Sequence, residues 1–272
     1  MNSRPIGIFD SGVGGMTVLA EIAKELPNED LIYLGDTKNF PYGDKSKENI
    51  IKISKKCVEF LISKNVKLII IACGTATSQA LEELRKEFTI PILGIISPTV
   101  DSIKKGVKES SKSIIGVIAT EGTIRSNKWE QELKEKIEDI TVINKACPLL
   151  APMAEQGWTE NKVAEETIKE YMSVFRDKNI DKLILGCTHY PLFKELIEKE
   201  LGNDVEIINT GEKIAQYVTN YLNEQNTNND KTNKADCKIY LTDTECNFIN
   251  VVSILLKNSN IENKISKIDI EN

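Results

Sequence analysis

The sequence predicts an α/β protein made of two related α/β halves with mostly parallel sheets. Short apolar runs rich in Ile, Val and Leu alternate with amphipathic segments, so strand and helix follow one another nearly throughout. The chain also repeats itself. KLIIIACGTA and KLILGCTHYP align at an offset of 114 residues, which lays Cys73 on Cys187, Ile69, Ile70 and Ile71 on Leu183, Ile184 and Leu185, and Asn65 on Asn179. A second echo precedes each copy: IGIFDSGVGG is matched by IGVIATEGT, with Gly7 on Gly116, Asp10 on Ala119 and Ser11 on Thr120. If the halves face each other about a pseudo-two-fold, corresponding residues approach a shared cleft from opposite sides. Inversion at a stereocentre requires that arrangement; an ordinary redox or hydrolytic thiol does not.

Taken in order, the apolar runs predict strands at 6–10, 31–35, 68–72, 92–95, 113–119, 141–144, 182–186, 206–209 and 238–241. The amphipathic segments predict helices at 16–26, 47–63, 78–87, 124–137, 161–178, 192–201, 213–223 and 246–256. One polar stretch, EQNTNNDKTNKAD at 224–236, lacks anything to bury and is expected to be a mobile surface loop without chemistry.

Composition narrows the partners. The chain has 272 residues, 40% hydrophobic and 28% charged, enough to bury one large or two modest cores. Its net charge of −6 is spread along the chain, and no basic stripe with interleaved aromatics appears, so the expected partner is a small molecule rather than nucleic acid. MNSRPIGIFDSG enters a strand at once, and no apolar run approaches membrane-spanning length, so a cytoplasmic protein without a membrane partner is expected. The six cysteines show neither CxxC nor zinc-ligand spacing, and His189 is the sole histidine, so no metal site is expected. Most of these thiols are read as small buried hydrophobes; Cys57, Cys237 and Cys246 are examples.

Ligands of open α/β sheets bind beyond the carboxyl ends of the strands. That rule selects Asp10 and Ser11, Asp36, Cys73 to Thr75, Thr120, and Cys187 to His189. DSGVGGMTVL can bring backbone N–H groups to an anion, although Thr17 stands where a dinucleotide fingerprint needs its third glycine, and a plain tight turn is the alternative. GDTKNFPYG, taken alone, reads as a proline-directed loop. Cys73 and Cys187 both precede helix-like segments, where a thiol pKa of about 8.5 is expected to fall. His189 can hold or relay a proton beside Cys187, and Asp10 is the candidate beside Cys73. As a lone histidine, His189 also fits a structural role, but its place past a strand end argues against full burial.

DSGVGGMTVL, GDTKNFPYG, IACGTATS, GVIAT and LGCTHYPL, in this order and spacing, resemble the glutamate racemases of the cofactor-independent aspartate/glutamate racemase superfamily. The resemblance runs from residue 5 to about 222, with IYLTDTECNF continuing it more weakly. It implies two facing α/β domains, 1–97 plus 209–272 and 98–208, with the substrate between them. Cys73 and Cys187 are then the two acid/base thiols, the first serving the D-enantiomer and the second the L-enantiomer. Asp10 and His189 support them, with Asp36 and Glu155 as further candidates for managing protons. Pro41, Tyr42 and Gly43 match the segment that binds the substrate's side-chain end.

An amino-acid α-proton is far less acidic than a thiol, and the resemblance implies no cofactor to act as an electron sink. Ser11, Thr75, Thr120 and Thr188 offer hydroxyls, and no lysine or arginine lies within the cysteine motifs, so carboxylates held by hydrogen bonds are expected. The chain departs from the family in reading Cys73, Gly74, Thr75 where an asparagine usually follows the first cysteine. Only a backbone N–H remains at Gly74 to meet substrate. The expected reaction is interconversion of L- and D-glutamate for cell-wall peptidoglycan, with a homodimer as an open possibility. Alternatives are a racemase of aspartate or another acidic amino acid, a non-catalytic amino-acid-binding module, or a cysteine hydrolase using Cys187 and His189, which leaves Cys73 unexplained.

Overall fold

The computed structural model describes residues 1–106, 112–229, 235–244 and 263–270. Strands β1 (Ile6–Asp10), β2 (Leu31–Gly35), β3 (Leu68–Ile71), β4 (Ile92–Gly94), β9 (Cys237–Leu241) and β10 (Asn263–Lys267) form one sheet in the order β10-β9-β2-β1-β3-β4. Strands β5 (Ser113–Ala119), β6 (Ile140–Ala146), β7 (Lys182–Leu185) and β8 (Glu206–Asn209) form a second, in the order β6-β5-β7-β8. Every pairing among the described residues is parallel.

The repeat read from the sequence is visible in this topology. The β2-β1-β3-β4 run of the first sheet has the same order as β6-β5-β7-β8, with β9 and β10 added beside β2. Asn65 and Asn179, equated by the repeat, both adopt positive φ, 57° and 46°, in the turns that feed β3 and β7. Asparagine tolerates this left-handed conformation better than most residues, which explains its use at both turns.

Strand alternation sets the packing. Ile6 and Ile8 of β1, Leu68 and Ile70 of β3, Ile115 and Val117 of β5 and Ile184 of β7 all belong to one apolar core, which therefore reaches from sheet to sheet. Phe9, Ile69 and Ile71 face a second core beneath α2 (Lys47–Ser63) and α3 (Gly74–Glu87), while Ile118, Leu183 and Leu185 face a third. Helices α1 (Met16–Glu25), α4 (Ile96–Gly106), α6 (Lys128–Lys136) and α10 (Thr210–Glu224) close the shared core. Each sheet with its own helices is called a lobe below.

Several expected elements are corrected. The helix expected at 78–87 starts at Gly74, directly after Cys73. The one expected at 124–137 is two, α5 (Glu121–Arg125) and α6, separated at Asn127 with φ 56°. The segment 161–178 is helical as α8 (Lys162–Met172) before a 3-10 turn, α9 is Lys194–Leu201 after another, and α10 starts at Thr210. Helices α4 and α7 (Leu150–Glu155) and strand β10 were not expected. Helix α4 carries Pro98 in its first turn, where no N–H is needed. The helix expected at 246–256, with Cys246, lies outside the described residues.

The polar stretch after α10 is tied down at 226–229 rather than mobile there. Asn229 N donates to Glu29 Oε1 at 2.8 Å, Lys67 Nζ donates to Thr227 O at 2.7 Å, and the N-terminal amine donates to Asn226 O at 3.0 Å. Lys67 and Glu29 are themselves a buried ion pair at 2.7 Å. A buried charge needs partners, and the loop supplies some of them.

Candidate active site

The ends of β1, β3, β5 and β7 converge on an enclosed cavity of about 20 Å³ between the lobes. From the first lobe, Ser11, Phe40, Pro41, Tyr42, Gly43, Cys73, Gly74 and Thr75 line it. From the second come Thr120, Ala151, Cys187, Thr188 and His189. Thus both repeated cysteines, and the repeat pair Ser11 and Thr120, face one space. Asp10, Asp36 and Glu155 stand behind this lining, each fully or almost fully buried. Cys57 and Cys237 are buried away from it, as expected of structural thiols.

Cys73 caps α3. Its backbone is extended, and its sulfur accepts from Ala76 N at 3.5 Å, while its thiol donates to Ser11 Oγ at 3.6 Å. The expected helix-start placement is present, but the expected fall in pKa is not. Burial, and next the charge of Asp10, push the Cys73 thiol up to about 12, outweighing the Ala76 and Ser11 hydrogen bonds. Cys73 therefore rests as a protonated thiol.

The Cys187 side has a different construction. Cys187 Sγ and His189 Nδ1 share a hydrogen bond at 3.7 Å, and His189 Nε2 meets Glu155 Oε1 at 2.6 Å. His189 is 1% exposed, contrary to the expected access to solvent. The first lobe covers it: the Phe40 ring lies 5.6 Å from the imidazole, and a Cβ on Gly14 would stand 2.5 Å from it, so only glycine fits there. Burial lowers the His189 pKa, but Cys187 and Glu155 more than offset it and leave it well above the ordinary value. The imidazole thus lies between the Cys187 sulfur and the Glu155 carboxylate, which favour its charged form.

Asp10 does not bond to Cys73. Its carboxylate accepts from Gly12 N at 3.2 Å, Gly15 N at 3.1 Å and the Thr188 hydroxyl at 3.3 Å, so it ties the glycine turn to the Cys187 loop. Burial raises its pKa against the pull of His189 and the two amides. Thr17 Oγ1 on Thr188 O at 3.0 Å and Val13 N on Glu155 Oε1 at 3.4 Å make further bonds across the lobes. Asp36 lies under the cavity floor, accepting from Tyr42 OH at 2.6 Å and Thr242 Oγ1 at 2.9 Å. It holds Tyr42 in place rather than facing the cavity.

Thr75 and Thr120 meet at 2.8 Å across the lobes, and Thr123 joins both, at 3.3 Å and 2.9 Å. Thr123, Phe40 and Ala151 escaped the sequence reading. A signal existed for Thr123, because it is the third residue after Thr120, the position whose N–H a helix-capping threonine binds. No lysine or arginine lines the cavity. Among the described residues, no cluster of His, Cys, Asp or Glu could hold a metal, and no helix is long and apolar enough to cross a membrane.

The profile of the Asp/Glu/Hydantoin racemase family matches residues 6–218. The chain belongs to that family. It is 40% identical over 248 residues to a glutamate racemase of Geobacter metallireducens, covering 91% of each chain. Among solved structures, it superposes on the glutamate racemase of Francisella tularensis in complex with D-glutamate with a TM-score of 0.90 and 36% identity, covering 100% of this chain and 99% of that one. A glutamate racemase isoform of Bacillus anthracis gives a TM-score of 0.92 at 34% identity, covering 99% and 98%. The motifs that carried the resemblance are the strand ends that meet in the cavity.

Proposed function

We propose that this chain interconverts L- and D-glutamate without a cofactor, using Cys73 and Cys187 as two opposed acid/base groups, and that its product supplies D-glutamate for peptidoglycan. The observation that carries the reading is the placement of these two thiols, from matching strand ends of two sheets, in one closed cavity. We assign the cleft to two domains, 1–97 plus 209–272 and 98–208.

With L-glutamate bound, Cys187 acts as thiolate and removes the α-proton. Cys73 as thiol delivers a proton to the opposite face. The electron pair of the broken C–H bond passes through the carbanion and forms the new one; both thiols have exchanged protonation state at the end. The protonated resting state of Cys73 suits it to the acid role in this direction. His189, with Glu155 behind it, stabilises a thiolate at Cys187 by its positive charge. Asp10 positions the Thr188 loop, and Asp36 positions Tyr42 against the substrate's side-chain end.

Hydroxyls of Ser11, Thr75, Thr120 and Thr188 and the N–H groups at the start of α3 are the donors available for the substrate's carboxylates and the developing carbanion. A cavity of about 20 Å³ has room for roughly one water, so glutamate needs the lobes to part and close again around it.

The test is racemisation of L-glutamate in D₂O with no addition. The expected result is loss of optical rotation, with deuterium at Cα of the D-product and little in the remaining L-substrate early in the reaction. Product free of deuterium, or full activity in both Cys73→Ala and Cys187→Ala, overturns the two-thiol reading. Aspartate run alongside tests the rival substrate that Gly74 leaves open.

A further inference from the structure

Immediately outside the closed cavity, a second cleft of about 460 Å³ opens between the same two lobes. Three of the chain segments that wall the cavity continue into it. Tyr42 and Gly43 lead to Lys45 and Lys47, Thr75 leads to Ser78 and Gln79, and Thr120 leads to Arg125 and Ser126. The seam between the two spaces is the hydrogen bond from Gly122 N to Gly43 O at 3.0 Å, beside the Thr75, Thr120 and Thr123 hydroxyls.

The cleft has lysine and arginine, which the cavity lining lacks. Lys45, Lys47 and Arg125 line it, and no carboxylate does. None of the three is in an ion pair with a described residue. Lys47 acts electrostatically on Glu48, Glu82 and Glu83. Glu82 is engaged by Lys128 at 2.6 Å, Glu83 by Lys86 at 2.7 Å, and Glu48 by its own backbone and Ser46, so the three cations are the only charged groups among the lining residues of the cleft, in a chain of net charge −6. Clustered cations between low-dielectric walls concentrate anions. The lysines come from one lobe and the arginine from the other, so an anion between them also touches both sides of the seam.

We propose that this cleft is a capture site for the acidic amino-acid substrate, with Lys45, Lys47 and Arg125 binding its carboxylates at the mouth of the cavity. The proposal rests on the reading of an acidic amino acid as substrate. Its physical basis is a division of labour. The cavity, without lysine or arginine, holds carboxylates by hydroxyls and N–H groups, while the cations outside raise the local concentration of a dianionic ligand and favour its retention. Such charges act alike on bound substrate and transition state, so they tune KM rather than kcat.

The experiment compares the full-length protein with a Lys45→Gln/Lys47→Gln/Arg125→Gln variant and with Arg125→Gln alone, in both directions of racemisation and from low to high salt. The expected result is a rise in KM of roughly 10-fold in the triple variant and roughly twofold to threefold in the single one at low salt, with kcat within about twofold. The salt dependence of kcat/KM seen in the unaltered protein should flatten in the triple variant. Unchanged KM and salt dependence, or a fall confined to kcat, overturns the proposal. Calorimetric titration of the same proteins with glutamate at low salt gives a second readout that does not need turnover. Absence of racemisation in the unaltered protein sinks the functional reading instead, and the capture site is then upheld or overturned by whether the triple variant binds glutamate more weakly.

Discussion

Gly74 lies so close to the carbonyl oxygen of Gly186 that a Cβ at position 74 would stand 2.2 Å from it. Both partners are backbone, so neither can turn aside. Gly74 follows Cys73 and Gly186 precedes Cys187, so this glycine contact links the segments that carry the two thiols. The asparagine of the motif that this chain resembles has no space at this separation.

Gly74→Ala is expected to push the start of α3 away from the end of β7 by roughly 1 Å to restore a normal contact. Displacements of that size in reacting groups cost up to about 100-fold in rate. Racemisation should fall between about 10-fold and 100-fold in kcat/KM, with Gly74→Asn at least as impaired. Activity at or above the unaltered level in Gly74→Asn would show that the thiol spacing is not set by this contact.

Glu155→Gln should change the pH dependence as well as the rate. Burial lowers the His189 pKa, but Cys187 and then Glu155 hold it well above its ordinary value, which favours the charged imidazole through neutral pH. Removing the carboxylate charge takes away one of the two groups that oppose burial, so the His189 pKa falls and its proton is lost at lower pH than in the unaltered protein. A kcat/KM profile across about pH 5.5 to 9 should gain a descending alkaline limb, with the rate near pH 8 lower by roughly 10-fold. A profile parallel to that of the unaltered protein would remove the charged imidazole from the mechanism.

The two thiols and their repeat were legible because each sits where an apolar strand runs straight into a helix or 3-10 turn, a pattern that sequence alone displays. The Asn65 and Asn179 turns were legible for the same local reason. Helices α4 and α7 were not, since each carries a proline that argues against helix. His189 was misjudged because what buries it, Gly14 and Phe40, comes from the other lobe. The work of Asp36 was hidden likewise, since Thr242 reaches it from just past β9, a strand that enters the first sheet late in the chain. Local periodicity records which residues end a strand; it does not record what packs over them.

Tyr42→Phe isolates the support under the cavity floor. The phenol donates to Asp36 Oδ2 at 2.6 Å, and Asp36 is fully buried. Deleting the hydroxyl leaves that oxygen without its donor, while the Thr242 and Asn39 bonds to Oδ1 remain. Loss of a hydrogen bond to a buried charged group costs about 1.5–3 kcal/mol, which urea unfolding can measure. A cost below about 0.5 kcal/mol would mean that the Tyr42 hydroxyl does not hold the cavity floor through this bond.

Alkaline pH should destabilise the fold before it hydrolyses anything. Burial pushes Cys73 and Cys237 up from 9.0 to about 12, and it raises Cys57, Tyr33, Tyr42 and Tyr190 in the same direction. Below pH 9 the thiols are protonated in both states and contribute no pH dependence. Above it the unfolded chain loses protons that the folded chain retains, so stability declines between about pH 9 and pH 12. One unit above its unfolded pKa, each such thiol costs about 1.4 kcal/mol. Unfolding midpoints measured in urea from about pH 8 to pH 10.5 should fall steadily, and Cys237→Ala, remote from the cavity, should show a shallower slope. A flat profile in the unaltered protein would mean that these thiols reach solvent when they ionise.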